Sequence, residues 1–433
     1  MTRSVPLPSE STDTDVGPAA GRGAPGHVAE MHAQTRRGLV VATGFATAAI
    51  VTIVARAGWW MPLHLFVVGG LLSAISAATQ MLAVTWSSAP APRPAVAGGQ
   101  RWALAIGAVV LVVGHETDHN FLFAAGGATV VVAMLALGII LIRILRQAVT
   151  DRFAPAIEAY VAAIVAGAVG MSLGIVLGVG RGGTHTVELR GAHVVLNLFG
   201  LVGLVIAATL PYFAATQVRS KMSSRATPAT MRITFFVLAS ATAIAGSGQI
   251  LDRFGVTAGG LLTYAGGLLV VAAMLPVYTK GRLRWAGPRL LQLMSGIAWW
   301  VAMTVALALA SLRATDDHAI LQAVVIGGFV QILVASLAYF GPVLRGGGHQ
   351  RLTAGFAITR SWVSLIAGNT AALAALVGGG PVLAAVLAVW LTDILIRAGR
   401  LLAGRRAAIM SDHCGHHRSV HLDCLGRSMK RQT

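Results

Sequence analysis

The chain has 433 residues, of which 56% are hydrophobic and 11% charged, with a formal net charge of +18. Sixteen of its 48 charges sit in the end segments 1–37 and 404–433, leaving 32 in the 366 residues between; soluble domains carry about a quarter charged residues. The composition excludes soluble, fibrous, disordered and nucleic-acid-binding proteins as the main class, and the two cysteines, Cys414 and Cys424, confined to the last 20 residues, exclude a disulfide-stapled body.

In chain order, residues 1–37 are polar and rich in Ser, Thr, Pro and Gly, which predicts a disordered tail. No cleavable signal pattern is seen there. Twelve apolar runs follow, each bounded by charges or Pro/Gly: roughly 38–57, 62–86, 102–117, 121–145, 154–178, 191–215, 231–250, 256–278, 287–311, 318–344, 353–377 and 381–403. A helix needs about 20 apolar residues to cross a bilayer. The runs are Leu/Ala/Val-rich and do not alternate, so helices rather than barrel strands are predicted. The fold class expected is all-α: a transmembrane domain over 38–403 of about twelve helices, then a basic tail over 404–433 with His413, Cys414, His416, His417, His421 and Cys424 as soft metal donors of no closed zinc-finger spacing.

Charge orients the spans. Twelve crossings put both termini on one side, and that side then carries 26 of the 33 Lys and Arg residues, against five on the other (Arg56, Arg181, Arg190, Arg253 and Arg313). By the positive-inside rule the rich side is cytoplasmic. The expected location is the plasma (inner) membrane, and the excess charge faces anionic lipid rather than nucleic acid.

The spans also resemble one another. Gly70 opens a stretch ending Ala77-Ala78-Thr79 in the second span, and Gly200 opens one ending Ala207-Ala208-Thr209 in the sixth. In the tenth, Gly328 leads to Ala335-Ser336-Leu337. The fourth and eighth spans share Ala125-Gly126-Gly127 with Ala265-Gly266-Gly267, and Ala133-Met134-Leu135 with Ala273-Met274-Leu275. Matches at four-span steps predict a four-helix unit used three times.

Three sets of four helices, with His64 ahead of Gly70 and the stretch AHVVLNLFG from Ala192 to Gly200, resemble the haem–copper oxidase large subunit and its non-oxidase relatives. The chain is similar to the NnrS-type haem membrane proteins and to the membrane domain of actinobacterial copper nitrite reductases. The resemblance covers about 38–403. It implies low-spin haem b ligation by His64 and His318, from the second and tenth spans, and places His193 of the sixth span where the family holds copper. The family's copper also takes two histidines from the seventh span, and 231–250 contains none. An oxygen-reducing centre is therefore not expected, and no catalytic residue is assigned.

Read from the residues themselves, His64, His193 and His318 each stand at the outer start of a corresponding span, and imidazole is a common haem and copper ligand. His115, His119 and His185 lie on the same face. His115-Glu116-Thr117-Asp118-His119 matches H-E-x-x-H, the zincin pattern in which two histidines share a helical face. A copper or zinc site without hydrolysis is the reading taken for His115 and His119. Gly248 to Gly255 is similar to a major-facilitator loop, but falls on the wrong side.

The function expected is haem binding in electron transfer or nitrogen-oxide and copper-linked redox handling, with a redox protein as partner. The alternative is a secondary transporter of a small solute or metal ion, in which Glu158 is the proton-coupling candidate. A third is a structural or assembly role without a ligand. Asp393 and Arg397, four apart in the last span, are expected to pair. Arg360 is expected to reach for the interface, and Asn197 and Gln331 to bond between helices.

Overall fold

The computed structural model describes residues 24–313, 315, 317–345 and 348–403. The Cys/His segment 413–424 and the tail ahead of residue 24 lie outside the described residues. Among the described residues all regular structure is helical.

Among the described residues eleven helices are long and apolar enough to span a membrane. We number the helices α1 (Ala24–Val54), α2 (Trp60–Ser87), α3 (Pro94–Glu116), α4 (Asn120–Arg146), α5 (Ala154–Gly178), α6 (Gly183–Gln217), α7 (Pro228–Ile250) and α8 (Phe254–Ala273). A short α9 (Lys280–Ala286) precedes α10 (Pro288–Arg313), α11 (His318–Arg345), α12 (Gly348–Thr359), α13 (Trp362–Leu376) and α14 (Gly380–Ala403). The protein is an integral multi-pass membrane protein of all-α fold.

The starts follow local chemistry. Proline occupies the first turn of α3, α5 and α7, where its missing N–H costs nothing. The Thr227 hydroxyl accepts from the Thr230 N–H at 3.1 Å and caps α7. The hairpins α3–α4 and α7–α8 turn on Asp118 and Asp252, both at positive φ. Their helices pack closely through glycine. A Cβ on Gly107 would lie 3.0 Å from the Gly126 carbonyl oxygen, and one on Gly260 would lie 2.6 Å from the Ala245 nitrogen.

Two boundaries differ from expectation. Helix α1 begins at Ala24, ahead of residue 38. The eleventh run is not one helix, since it breaks at Arg360 and Ser361 into α12 and α13. Ser361 is extended (φ −140°, ψ 116°) and its hydroxyl caps α13 by accepting from the Ser364 N–H at 3.0 Å. The 15 residues of α13 reach about 22 Å at 1.5 Å each, short of the roughly 30 Å hydrocarbon core.

Helices α2, α6 and α11 are the second, sixth and tenth spans of the sequence reading. Each contains a π-helical segment: Leu65–Leu71, Leu196–Gly203 and Val324–Val330. All three hold the glycines aligned above, and each lets a neighbour come close. A Cβ on Gly69 would run into the Phe45 ring, and one on Gly203 would strike the Tyr264 hydroxyl and stand 3.0 Å from Trp300 Cζ2. The centre of the bundle is built there. Trp300, Tyr264 and Phe199 are fully buried, with the Tyr264 hydroxyl donating to the Phe199 carbonyl at 2.9 Å. That bond gives a π-segment carbonyl a partner from another helix.

Candidate functional site

The first turn of α2 sets the geometry. Helical spacing puts Trp60 and His64 on one face, and the His64 ring lies on the Trp60 indole with centroids 3.8 Å apart and planes 17° from parallel. The last turn of α3 brings His115 onto the same indole, at 3.5 Å and 5°. Phe123 of α4 closes the group, tilted 6.2 Å from both Trp60 and His115.

Helix α6 contributes His193 from the turn before its π segment. The ring is received by α5 at Gly174, where a Cβ would stand 2.6 Å from His193 Cε1. His193 Nδ1 is 2.7 Å from the Gly170 carbonyl oxygen. His64 Nδ1 is 2.9 Å from the Trp60 carbonyl oxygen. A carbonyl only accepts, so in each neutral ring the proton sits on Nδ1 and the lone pair on Nε2. An imidazole fixed by a backbone carbonyl on one nitrogen and open on the other is the arrangement typical of metal-bound histidine. His64 and His115 share the Trp60 indole.

The structure thus stacks His64 and His115 on one indole and seats His193 against α5 at the same end of the bundle, where His119 and His318 are exposed. The resemblance implies His318 as the partner of His64, and His318 stands exposed at the start of α11. The shared helical face expected of His115 and His119 does not form. Helix α3 ends at Glu116, Asp118 takes φ 53°, and His119 is the extended residue ahead of α4. His115 Nδ1 instead lies 3.3 Å from its neighbour Glu116. Among the described residues no group of three or more His, Cys, Asp or Glu side chains is placed to hold a metal ion.

Other expectations resolve individually. Arg397 donates from Nε to both oxygens of Asp393, at 2.9 and 3.0 Å, so that pair forms. Asn197 and Gln331 bond within their own helices, to the carbonyls of His193 (2.8 Å) and Gly327 (3.0 Å), rather than between helices. Each amide reaches back four residues, to a turn at or inside a π segment. Arg360 donates to the Trp285 carbonyl of α9. Glu158 holds Arg232 in a two-pronged ion pair, both bonds 2.8 Å, with the side chains 39% and 56% exposed. It joins α5 to α7 at the rim. The indole shelf under the histidines was missed in the sequence. Trp60 at i−4 from His64 was its only local sign, and His115 is brought to it by tertiary packing.

No protein-family model matches this sequence, and no curated protein is detectably similar to it. The class that the fold defines is a polytopic α-helical membrane protein.

Proposed function

We propose that the protein binds haem b at the end of the bundle where α2, α5 and α6 meet, with His64 and His193 as axial ligands. The observation that carries this reading is a pair of imidazoles, one on α2 and one on α6, both with Nδ1 committed to a backbone carbonyl. The donor count favours haem over copper or zinc. A zinc site takes three or four protein ligands, whereas a porphyrin brings four nitrogens and asks the protein for two. The small residues Gly170 and Gly174 let His193 sit against α5. Bound there, the group would supply one-electron chemistry, with a redox protein as partner. The chain's own part is to fix ring tautomer and orientation and to exclude water with Trp60 and Phe123. Two further readings belong to the proposal: the three-unit layout, supported by π segments in α2, α6 and α11, and a plasma-membrane setting with cytoplasmic termini, supported by the distribution of Arg and Lys.

The test is the absorption spectrum of the purified protein from haem-replete cells. A Soret band and reducible α and β bands of a low-spin centre are expected. His64→Ala and His193→Ala should each convert it to a high-spin or empty site, and His119→Ala should leave it unchanged. Loss on His318→Ala with retention on His193→Ala would replace the second ligand by the one the resemblance implies. A colourless preparation overturns the proposal and leaves the transporter.

A further inference from the structure

The end of the bundle opposite the histidines contains a second polar centre. Arg289, in the first turn of α10, is 1% exposed. Its Nε donates to Gln217 Oε1 at 2.7 Å and its Nη2 to the Gln217 carbonyl at 3.4 Å. Its Nη1 is buried and has no hydrogen-bond partner among the described residues. The guanidinium lies over the rings of Phe356 (4.7 Å) and Tyr339 (5.2 Å). Two more guanidiniums flank it. Arg219 stacks on Trp285 at 3.7 Å, and Arg360 lies 5.4 Å from the same ring, its Nε also buried and without a partner among the described residues. Arg219 follows two residues after Gln217, which Arg289 holds, and Arg360 Cδ stands 3.5 Å from where a Cβ on Gly287 would lie, two residues before Arg289.

Three like charges gathered at one end of a membrane bundle repel one another, and a buried guanidinium without a counter-charge is costly. The ring faces offset part of that cost; Gln217 supplies dipoles but no charge. Among the described residues, Asp393 is committed to Arg397 and to the Ser361 hydroxyl at 2.6 Å. Arg397 in turn donates to the Arg360 carbonyl at 2.6 Å, so this pair braces the loop that carries Arg360.

We propose that Arg289, with Arg219 and Arg360, forms a binding site for a phosphate-class oxyanion between the C-terminal end of α6, α9 and the start of α10. Guanidinium forks match the oxygen spacing of phosphate, and a doubly charged tetrahedral anion can engage several at once. The first turn of α10 adds the positive end of a 26-residue helix. The phosphate can belong to a lipid headgroup or be free in solution. The site is independent of the haem reading, standing at the other end of the molecule on different residues.

The test uses the full-length protein in a neutral detergent. Sodium phosphate is titrated against sodium chloride at constant ionic strength, following the melting temperature and the Trp285 emission, the latter isolated by subtracting a Trp285→Phe variant. A parallel arm uses phosphatidylcholine bilayers with and without phosphatidylglycerol. Phosphate should raise the melting temperature and shift Trp285 emission where chloride does neither, or phosphatidylglycerol should do so where phosphatidylcholine does not. The first outcome names a soluble anion and the second a headgroup. Arg289→Gln should abolish the response. Should that variant not fold, Arg219→Gln, which removes a partly exposed side chain, should weaken it about tenfold. A wild-type protein indifferent to both probes, an equal response to chloride, or an Arg219→Gln variant that responds as the wild type overturns the proposal.

Discussion

The imidazole of His115 lies flat on the indole of Trp60, with centroids 3.5 Å apart and planes 5° from parallel. The contact joins α3 to the first turn of α2 and fixes the surroundings of His64, which stacks on the same indole. It belongs to a small apolar cluster with Leu65, Leu111, Val112 and Phe123, separate from the main core. Trp60→Ala should therefore lower the melting temperature in detergent, by an amount equivalent to about 1–3 kcal/mol, less than a fully buried aromatic would cost. Trp60→Phe should restore most of it. The ring-nitrogen NMR signals of His64 and His115 should both move in Trp60→Ala, and unchanged signals would show that the indole does not hold them.

Gly327 in the π segment of α11 is a place where no side chain fits. A Cβ there would stand 2.8 Å from both the Ala372 Cβ and the Trp299 ring. Gly327→Ala should destabilise by about 1–3 kcal/mol through overpacking. Gly266 in α8 has nothing within 4 Å of the same position, so Gly266→Ala should be neutral or slightly stabilising through helix propensity. Melting curves of the two variants side by side decide it. A Gly327→Ala protein as stable as Gly266→Ala would mean that the close approach of α10 and α13 to α11 is wrong.

The fold class was legible in the sequence because apolar run length and charge depletion report membrane crossing directly. Eleven of the twelve runs correspond to long helices, and the exception is instructive. Run 353–377 is apolar enough to read as continuous, but Arg360 turns aside to the Trp285 carbonyl and Ser361 caps a new helix. Hydropathy does not register either event. The candidate histidines were legible as a set at one end of the bundle. Their grouping was not, because it depends on where α3 stops and on how α5 receives His193. The π segments were also hidden, although the glycines inside them had been aligned across the three spans. Arg289 reads in sequence as one more cation of the basic side; only packing shows that it is buried.

Glu158 is the acidic residue a proton-coupled transporter would be expected to use. Its pairing with Arg232 at the rim predicts otherwise. Exposed ion pairs contribute about 0–1 kcal/mol, so Glu158→Gln should change the melting temperature by no more than a degree or two. It should also leave proton flux in proteoliposomes at the level of the wild type. A variant that abolished a measurable proton flux would restore the transporter reading and give Glu158 a role its surface pairing does not suggest.

Sidedness can be read with a reporter fused after Gly183, Ser223 or Leu283. Gly183 opens α6, at the end that carries His64, His115 and His193, and the cations on its flanks are Arg181 and Arg190. Ser223 and Leu283 lie at the opposite end, near Arg219, Lys221, Arg225, Arg282 and Arg284. Each cation near a cytoplasmic leaflet gains about 1 kcal/mol from anionic lipid, and short basic loops resist translocation. The reporter after Gly183 should therefore register the outside, and those after Ser223 and Leu283 the cytoplasm. Helix α6 separates the first two positions, and a 35-residue helix is long enough to cross with length to spare. Gly183 and Ser223 on the same side would mean that α6 does not span, which its apolar composition and its place at the centre of the bundle both oppose. All three signals reversed would leave the fold intact and exchange the two faces. The histidine cluster would then face the cytoplasm and the arginine centre would meet anions from outside, which changes the redox partner and the phosphate source to be sought.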